Sequence, residues 1–114
     1  MMTRVEIIAH EALEAPLMEA LAPVPTDAHD PEGRSGRPFT LSRGVAGRGM
    51  SGSSFGDEVW PETNLRIVLF VGADDEARIR DALKGVRRRF PKLGLAAFAA
   101  SGYDEWYDGV EGDG

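Results

Sequence analysis

A chain of 114 residues with a formal net charge of −6 is expected to fold as one domain, and its acidity argues against nucleic acid or an anionic membrane surface as the main partner. It contains no cysteine, which excludes disulfides and thiolate metal sites. No apolar run approaches the roughly 20 residues of a membrane span, and the N-terminus lacks the apolar core of a signal peptide. We therefore expect a cytoplasmic protein without membrane insertion.

The first predicted elements are a strand and a short helix. Residues 3–9 alternate in the manner of a strand. A helix is predicted to begin near Glu14 or Ala15 and to end before Pro23. Its apolar face consists of Leu13, Leu17, Ala20 and Leu21.

The middle of the chain is rich in turn-forming residues. Residues 26–38 are predicted to be a loop, because they combine acids, glycines and prolines without a large apolar side chain. Residues 39–45 are predicted to be a strand. A glycine-rich run follows over residues 44–56, where glycines let the backbone approach a ligand closely and Arg48 can hold an anion.

The second half of the chain has the clearer periodicity. Residues 65–71 are apolar at nearly every position and are predicted to be a strand. Residues 74–90 carry an apolar stripe at helical spacing, and the arginines at 87–89 complement the dipole of that helix, so we interpret them as a solvated face rather than an anion site. Residues 95–100 are predicted to be the last strand, followed by an acidic tail over residues 101–114.

This order of elements predicts an α+β fold, a ferredoxin-like βαββαβ sandwich with a long glycine-rich excursion. The strand at residues 65–71 is apolar on both faces, with Ile67 and Leu69 on one face and Val68 and Phe70 on the other. Helices cover only one face of such a sheet. We therefore expect further copies of the chain to cover the second face.

Two segments resemble the PII-like signalling proteins. Residues 45–52 are Val-Ala-Gly-Arg-Gly-Met-Ser-Gly and are similar to the base of the T-loop, the long excursion after the second strand of those proteins. Residues 56–64 are Gly-Asp-Glu-Val-Trp-Pro-Glu-Thr-Asn and resemble the Gly-Asp-x-Val-Trp-Pro stretch of a divergent PII-like branch. The resemblance covers residues 3–100, with the elements in the same order.

The resemblance implies a homotrimer that binds a small anionic effector, an adenine nucleotide, in the clefts between subunits and signals to a partner such as a membrane transporter. It implies a PII-like domain over residues 1–100, with a T-loop-like segment at about 47–58, and a separate acidic tail over residues 101–114. The implied ligand-binding residues are Gly47, Arg48, Gly49, Lys92 and Gly94. The implied partner-binding residues of the loop are Met50, Ser51, Ser53 and Phe55.

The choice of effector is predicted from charge. PII proteins carry a second glycine-rich loop before the last strand, with a lysine on the phosphates, and Lys92 and Gly94 stand in that place here. The tail carries the carboxylates of Asp104, Glu105, Asp108, Glu111 and Asp113. Because a site facing this tail would repel a triphosphate, AMP or ADP is expected in preference to ATP.

Two other functions are open. A trimeric metal-binding protein of the same fold would need His10, His29 and nearby acids to converge on one ion. An interaction module would bind a protein partner and no small molecule. An enzyme is not expected, since the chain has no cysteine nucleophile, and no tightly bound cofactor is expected.

Overall fold

The computed structural model describes residues 1–24, 39–46 and 63–106. The elements in these residues are β1 (Met2–His10), α1 (Glu14–Leu21), β2 (Thr40–Ala46), β3 (Thr63–Gly72), α2 (Glu76–Arg89) and β4 (Leu95–Tyr103). A short 3₁₀ helix precedes each α-helix, at Glu11–Leu13 and at Ala73–Asp75. The predicted loop at 26–38 and the T-loop-like segment at 47–58 lie outside the described residues.

The strands form one antiparallel sheet in the order β2-β3-β1-β4. The central strands β1 and β3 are paired from Met2 opposite Gly72 to His10 opposite Asn64. Each α-helix follows a central strand and leads to an edge strand, which is the arrangement of the ferredoxin-like fold. The predicted fold class is therefore confirmed.

One face of the sheet packs against both helices. The odd-numbered residues of the central strands lie on this face, where Ile7 and Ile67 are directly opposite each other and fully buried. Burial of each such side chain contributes about 1.5–3 kcal/mol. The core residues are Val5, Ile7, Ala9, Leu13, Leu17, Leu21, Val24, Leu65, Ile67, Leu69, Val71, Ile79 and Val86.

The long helix begins slightly later than its predicted start at residue 74, because the acids at 74 and 75 belong to the preceding 3₁₀ helix. Its buried stripe contains Ile79 and Val86, as the spacing predicts. The buried Thr3 hydroxyl donates a hydrogen bond of 2.6 Å to the Glu76 carboxylate and so ties β1 to the first turn of α2. Neither helix that the structure describes is long and apolar enough to cross a membrane.

The last strand is longer than predicted and largely exposed. It continues to Tyr103, beyond the predicted end at Ala100, and apart from the half-buried Leu95 its side chains are exposed. The core residues come from β1, β3, the helical segments and Val24, and from the last strand Leu95 packs against them. The apolar pattern located the strand but did not show that it is exposed.

Two glycines allow the edge strands to bulge. Gly44 has a φ of 71° and lies where the pairing of β2 with β3 shifts register, between Ser42 and Val45. Gly102 has a φ of 94° and lies where the pairing of β4 with β1 shifts. Backbone with positive φ is the conformation that glycine adopts at little cost and other residues do not.

Candidate functional site

The two predicted ligand-binding segments emerge at the same end of the sheet. In the antiparallel order, β1 and β2 end there at His10 and Ala46, while β3 and β4 begin there at Thr63 and Leu95. The glycine-rich excursion leaves after Ala46 and returns at Thr63, and the turn between α2 and β4 enters Leu95. The strand ends to which both segments are attached therefore lie at one edge of the sheet, which we call the loop end.

At the loop end, the start of the excursion and the α2–β4 turn connect to opposite sides of the sheet. The excursion leaves from β2 and returns to the central strand β3, whereas the turn leads into β4, and β2 and β4 are the two outer strands. Neighbouring strands are spaced about 4.8 Å apart, so the outer strands are about 14 Å apart. Within one chain, the start of the excursion and the turn are not adjacent.

The structure describes the α2–β4 turn but not the glycine-rich residues. Lys92 is exposed and Gly94 is half-buried in this turn. The Gly94 carbonyl accepts a hydrogen bond of 2.9 Å from the backbone N–H of His10, which joins the turn to the end of β1. The other predicted site residues lie outside the described residues: Gly47, Arg48, Gly49, Met50, Ser51, Ser53 and Phe55.

Arg87, near the C-terminal end of α2, donates hydrogen bonds to the backbone of the α2–β4 turn. One guanidinium nitrogen, Nη1, donates to the carbonyls of Pro91 at 3.3 Å and Leu93 at 3.0 Å. The other, Nη2, donates to the carbonyl of Leu95 at 2.9 Å. Arg87 is exposed, in agreement with its interpretation as part of a solvated face, and its guanidinium in addition bonds three backbone carbonyls, which the sequence did not predict.

His10 is a helix-entry residue in this structure. Its Nδ1 accepts a hydrogen bond of 3.0 Å from the backbone N–H of Ala12 and so caps the 3₁₀ helix that begins at Glu11. Among the residues that the structure describes, no three His, Asp or Glu side chains come together as a metal-binding group. His29, the second histidine of the metal hypothesis, lies outside that part of the chain.

A bidentate ion pair lies close to the start of the excursion. Arg43 donates to the two carboxylate oxygens of Glu14, from Nε at 2.8 Å and from Nη2 at 2.5 Å. The hydrogen bond from Arg43 holds the pKa of the Glu14 carboxyl below its ordinary value, and it raises the pKa of Arg43 in turn. The pair joins α1 to β2 just before the Gly44 bulge, so it fixes the strand from which the excursion leaves.

Sequence reasoning did not find this pair. Its members are 29 residues apart in the chain, and only the sheet order brings them together. The one local signal was an arginine inside a strand that precedes the glycine-rich run.

A shallow cavity of about 810 Å³ lies on the helical side of the molecule. It is lined by Glu14, Ala15, Pro16, Met18, Glu19 and Arg89. Neither Lys92 nor Gly94 lines it. Because two carboxylates and one guanidinium share this surface, it does not select for an anion.

The open face of the sheet, which carries the even-numbered residues of β1 and β3, has a charged centre. The Glu6 carboxylate contacts Arg4 at 2.9 Å and Arg66 at 3.7 Å. Beside them, Val68 is half-buried, and Phe98 of β4 lies opposite Glu6 with 61% of its surface exposed. The expected apolar second face is therefore present in part and is interrupted by this ion-pair cluster.

The acidic tail begins at the other end of the sheet. Strand β4 runs from Leu95 at the loop end to Tyr103, and at about 3.3 Å per residue this places Tyr103 about 26 Å away. Asp104 and Glu105 follow Tyr103, so within one chain these carboxylates do not face the loop end. The predicted repulsion of a triphosphate by the tail receives no support from them.

A scan against models of known protein families finds no match for this chain. A search of curated proteins also finds no match. A search of solved structures does find matches, and these show a similarity in fold.

Three of the matching structures are described as PII-like proteins. A PII-like signalling protein from Thermus thermophilus is 22% identical, with 87% of this chain and 84% of that chain covered and a TM-score of 0.56. CPII from Thiomonas intermedia, bound to ADP and bicarbonate, is 12% identical, with 87% and 83% covered and a TM-score of 0.61. Another CPII structure, bound to ADP, AMP and bicarbonate, is 17% identical, with 87% of each chain covered and a TM-score of 0.54.

The strand order defines a ferredoxin-like α+β protein. Among proteins of that class, the chain shares its fold with the PII-like signalling proteins over most of its length.

Proposed function

We propose that this chain is a PII-like regulatory protein of the divergent branch, which forms a homotrimer and binds an adenine nucleotide in the clefts between its subunits. The observation that carries the proposal is the shared fold with PII-like proteins, some of them bound to ADP and AMP. The attachment of both loop segments to strand ends at one edge of the sheet supports it. In this role the protein is a regulator and not an enzyme.

The proposed cleft lies between copies, because the start of the excursion and the α2–β4 turn are separated within one chain. The excursion leaves from one outer strand and the turn leads into the other, about 14 Å apart. A cyclic trimer joins unlike surfaces of neighbouring subunits. In the proposed trimer, the excursion of one subunit meets the turn of the next, and each meeting point forms a nucleotide site.

The proposed ligand contacts are cations and backbone amides. Arg48 and Lys92 supply positive charge for phosphate, while Gly47, Gly49 and Gly94 let the backbone approach the ligand closely. The preference for AMP and ADP over ATP now rests on the ligands of the CPII structures. Occupancy of the cleft is proposed to be signalled to a partner protein, with a membrane transporter as one candidate, through residues 47–58.

Calorimetric titration with AMP, ADP and ATP, each with and without magnesium, tests this function. We expect saturable binding of AMP or ADP at one site per protomer. Absence of binding for all three nucleotides would contradict the proposal and would redirect the search to bicarbonate, metals and protein partners.

The Gly49→Val variant tests the placement of the site. A valine side chain is expected to fill space that the ligand needs, so nucleotide binding is lost while the oligomer stays intact. Gly85→Ala in α2 is the matched control, because a Cβ at Gly85 meets no atom of the described chain within 4 Å. Titration and light scattering of both variants provide the readout, and unchanged affinity in Gly49→Val would remove Gly49 from the site.

A further inference from the structure

Arg87 makes contacts that its neighbours in the arginine run do not make. Its guanidinium reaches past the end of α2 and donates to the carbonyls of Pro91, Leu93 and Leu95. The guanidinium of Arg89 instead lies over the ring of Phe90, 5.1 Å from its centroid. Arg87 is thus the member of the run that holds the backbone of the α2–β4 turn.

The hydrogen bonds from Arg87 also determine the direction in which neighbouring backbone N–H groups point, because the peptide bond is planar. In a trans peptide, the C=O of one residue and the N–H of the next point in opposite directions. The Pro91 carbonyl shares its peptide with the N–H of Lys92, and the Leu93 carbonyl shares its peptide with the N–H of Gly94. Because both carbonyls point to Arg87, both of these N–H groups point away from it.

The two amides are available to a ligand. Within the described part of the chain, neither the Lys92 N–H nor the Gly94 N–H donates a hydrogen bond to a backbone or side-chain acceptor. The Leu93 N–H between them is bonded to the Phe90 carbonyl at 3.3 Å. Two such amides on either side of a bonded one, beside an exposed ammonium group, can both point at one anion, and the guanidinium behind them polarises the same peptides.

We infer that Arg87 is a positioning residue that aims the backbone amides of Lys92 and Gly94 at a phosphate group of the bound effector. The inference rests on the proposed function, since it takes the nucleotide phosphate as the anion. In this role Arg87 acts through the turn and not by contact with the ligand, because three of its five N–H donors already bond the carbonyls of the turn. This role differs from a purely electrostatic one, in which a lysine at position 87 would support phosphate binding as well as an arginine does.

The experiment compares ADP with adenosine in the full-length protein. Dissociation constants are measured for the wild type, Arg87→Gln, Arg87→Lys and the control Arg88→Gln, which changes the net charge as Arg87→Gln does. Both Arg87 variants are expected to bind ADP about tenfold more weakly, the scale of one lost hydrogen bond to a charged group. Adenosine affinity is expected to stay unchanged, and Arg88→Gln to match the wild type.

Each other outcome overturns the inference in a distinct way. Unchanged ADP affinity in Arg87→Gln removes the positioning role. Equal weakening of ADP and adenosine shows a general structural role, and full affinity in Arg87→Lys shows that charge alone suffices. Thermal denaturation of each variant identifies any loss of folding.

If the wild-type protein binds no nucleotide, the proposed function is contradicted, and so is the role of Arg87 in phosphate binding. Amide hydrogen exchange then still decides whether Arg87 orders the turn. The His10 and Leu93 amides donate into this turn, so their exchange is expected to accelerate in both Arg87 variants and not in Arg88→Gln. Equal exchange in all four proteins would overturn the ordering role too.

Discussion

Gly44 lies at the start of the glycine-rich segment and Gly94 lies in the α2–β4 turn, and the two glycines differ in backbone conformation. Gly44 has a φ of 71°, whereas Gly94 does not lie in the left-handed region. At both positions a Cβ would meet no atom of the described chain within 4 Å. Backbone conformation, and not space, therefore decides what each position tolerates in the free protein.

Gly44→Ala is expected to lower the free energy of unfolding by about 1 kcal/mol, because an L-residue with positive φ brings its Cβ against the backbone. Gly94→Ala is the matched control and is expected to leave stability unchanged. Urea denaturation of both variants checks this difference. Equal stability of the two variants would contradict this, because it would mean that the β2 bulge accommodates a Cβ at residue 44 without a loss of unfolding free energy.

Gly94→Ala also tests the ligand site. If the turn lies against a nucleotide, the added methyl group is expected to weaken ADP binding even though the fold tolerates it. Calorimetric titration measures the effect. ADP affinity equal to that of the wild type would place the ligand away from Gly94.

At the scale of elements, the Glu14–Arg43 pair joins α1 to the strand from which the excursion leaves. The pKa of Glu14 is lowered in the folded chain, first by the hydrogen bond from Arg43. A carboxyl with a depressed folded pKa stabilises the fold above its unfolded pKa, and that stabilisation is lost as the pH falls through the folded value. The exposed position of the pair and screening by salt keep its contribution small.

Glu14→Gln is therefore expected to be less stable than the wild type near neutral pH. The difference should shrink as the pH falls below about 4.3, the ordinary pKa of a glutamate, and vanish where Glu14 of the wild type is protonated. Thermal denaturation from pH 7 to pH 3 measures this convergence, with Glu19→Gln on the exposed side of the same helix as control. A difference that stays constant with pH would mean that the ion pair is not its source.

The elements themselves could be predicted because their signals are local. The alternation of Ile67 and Leu69 identifies a strand face, and the spacing of Ile79 and Val86 identifies a helical stripe. The exposure of β4 and the partner of Arg43 could not be predicted in the same way. Both depend on which elements lie side by side, and that information is spread along the whole chain.

The candidate site likewise has features that could be predicted from the sequence and features that could not. The position of Lys92 and Gly94 before the last strand follows from the order of elements, and the structure places both in the α2–β4 turn. The contacts of Arg87 could not be predicted, because a run of three arginines is usually solvated and its first member here turns back to the backbone of the turn. The glycine-rich residues remain predictions.

At the scale of the whole molecule, the open face and β4 present a surface suited to further copies of the chain. Phe98 is 61% exposed on that surface, and β4 is an outer strand with exposed side chains on both faces. An edge strand of this kind is normally paired, covered or protected by charge. In the proposed homotrimer, association of copies is expected to cover this strand.

Phe98→Asp is expected to dissociate the oligomer while each chain stays folded, because a carboxylate buried in an interface is costly and Phe98 lies outside the core. Light scattering after size-exclusion chromatography gives the mass, and circular dichroism checks the fold. Phe39→Asp is the control, since Phe39 is another exposed phenylalanine and precedes β2. An unchanged mass in Phe98→Asp would place the interface elsewhere.

Native mass spectrometry of the wild-type protein with ADP tests the central claim most directly, because one spectrum reports both assembly and ligand binding. The account predicts a trimer that carries up to three ADP molecules, with little ADP on any monomer. A monomer as the dominant species, or a trimer that retains no ADP at saturating concentration, would contradict it.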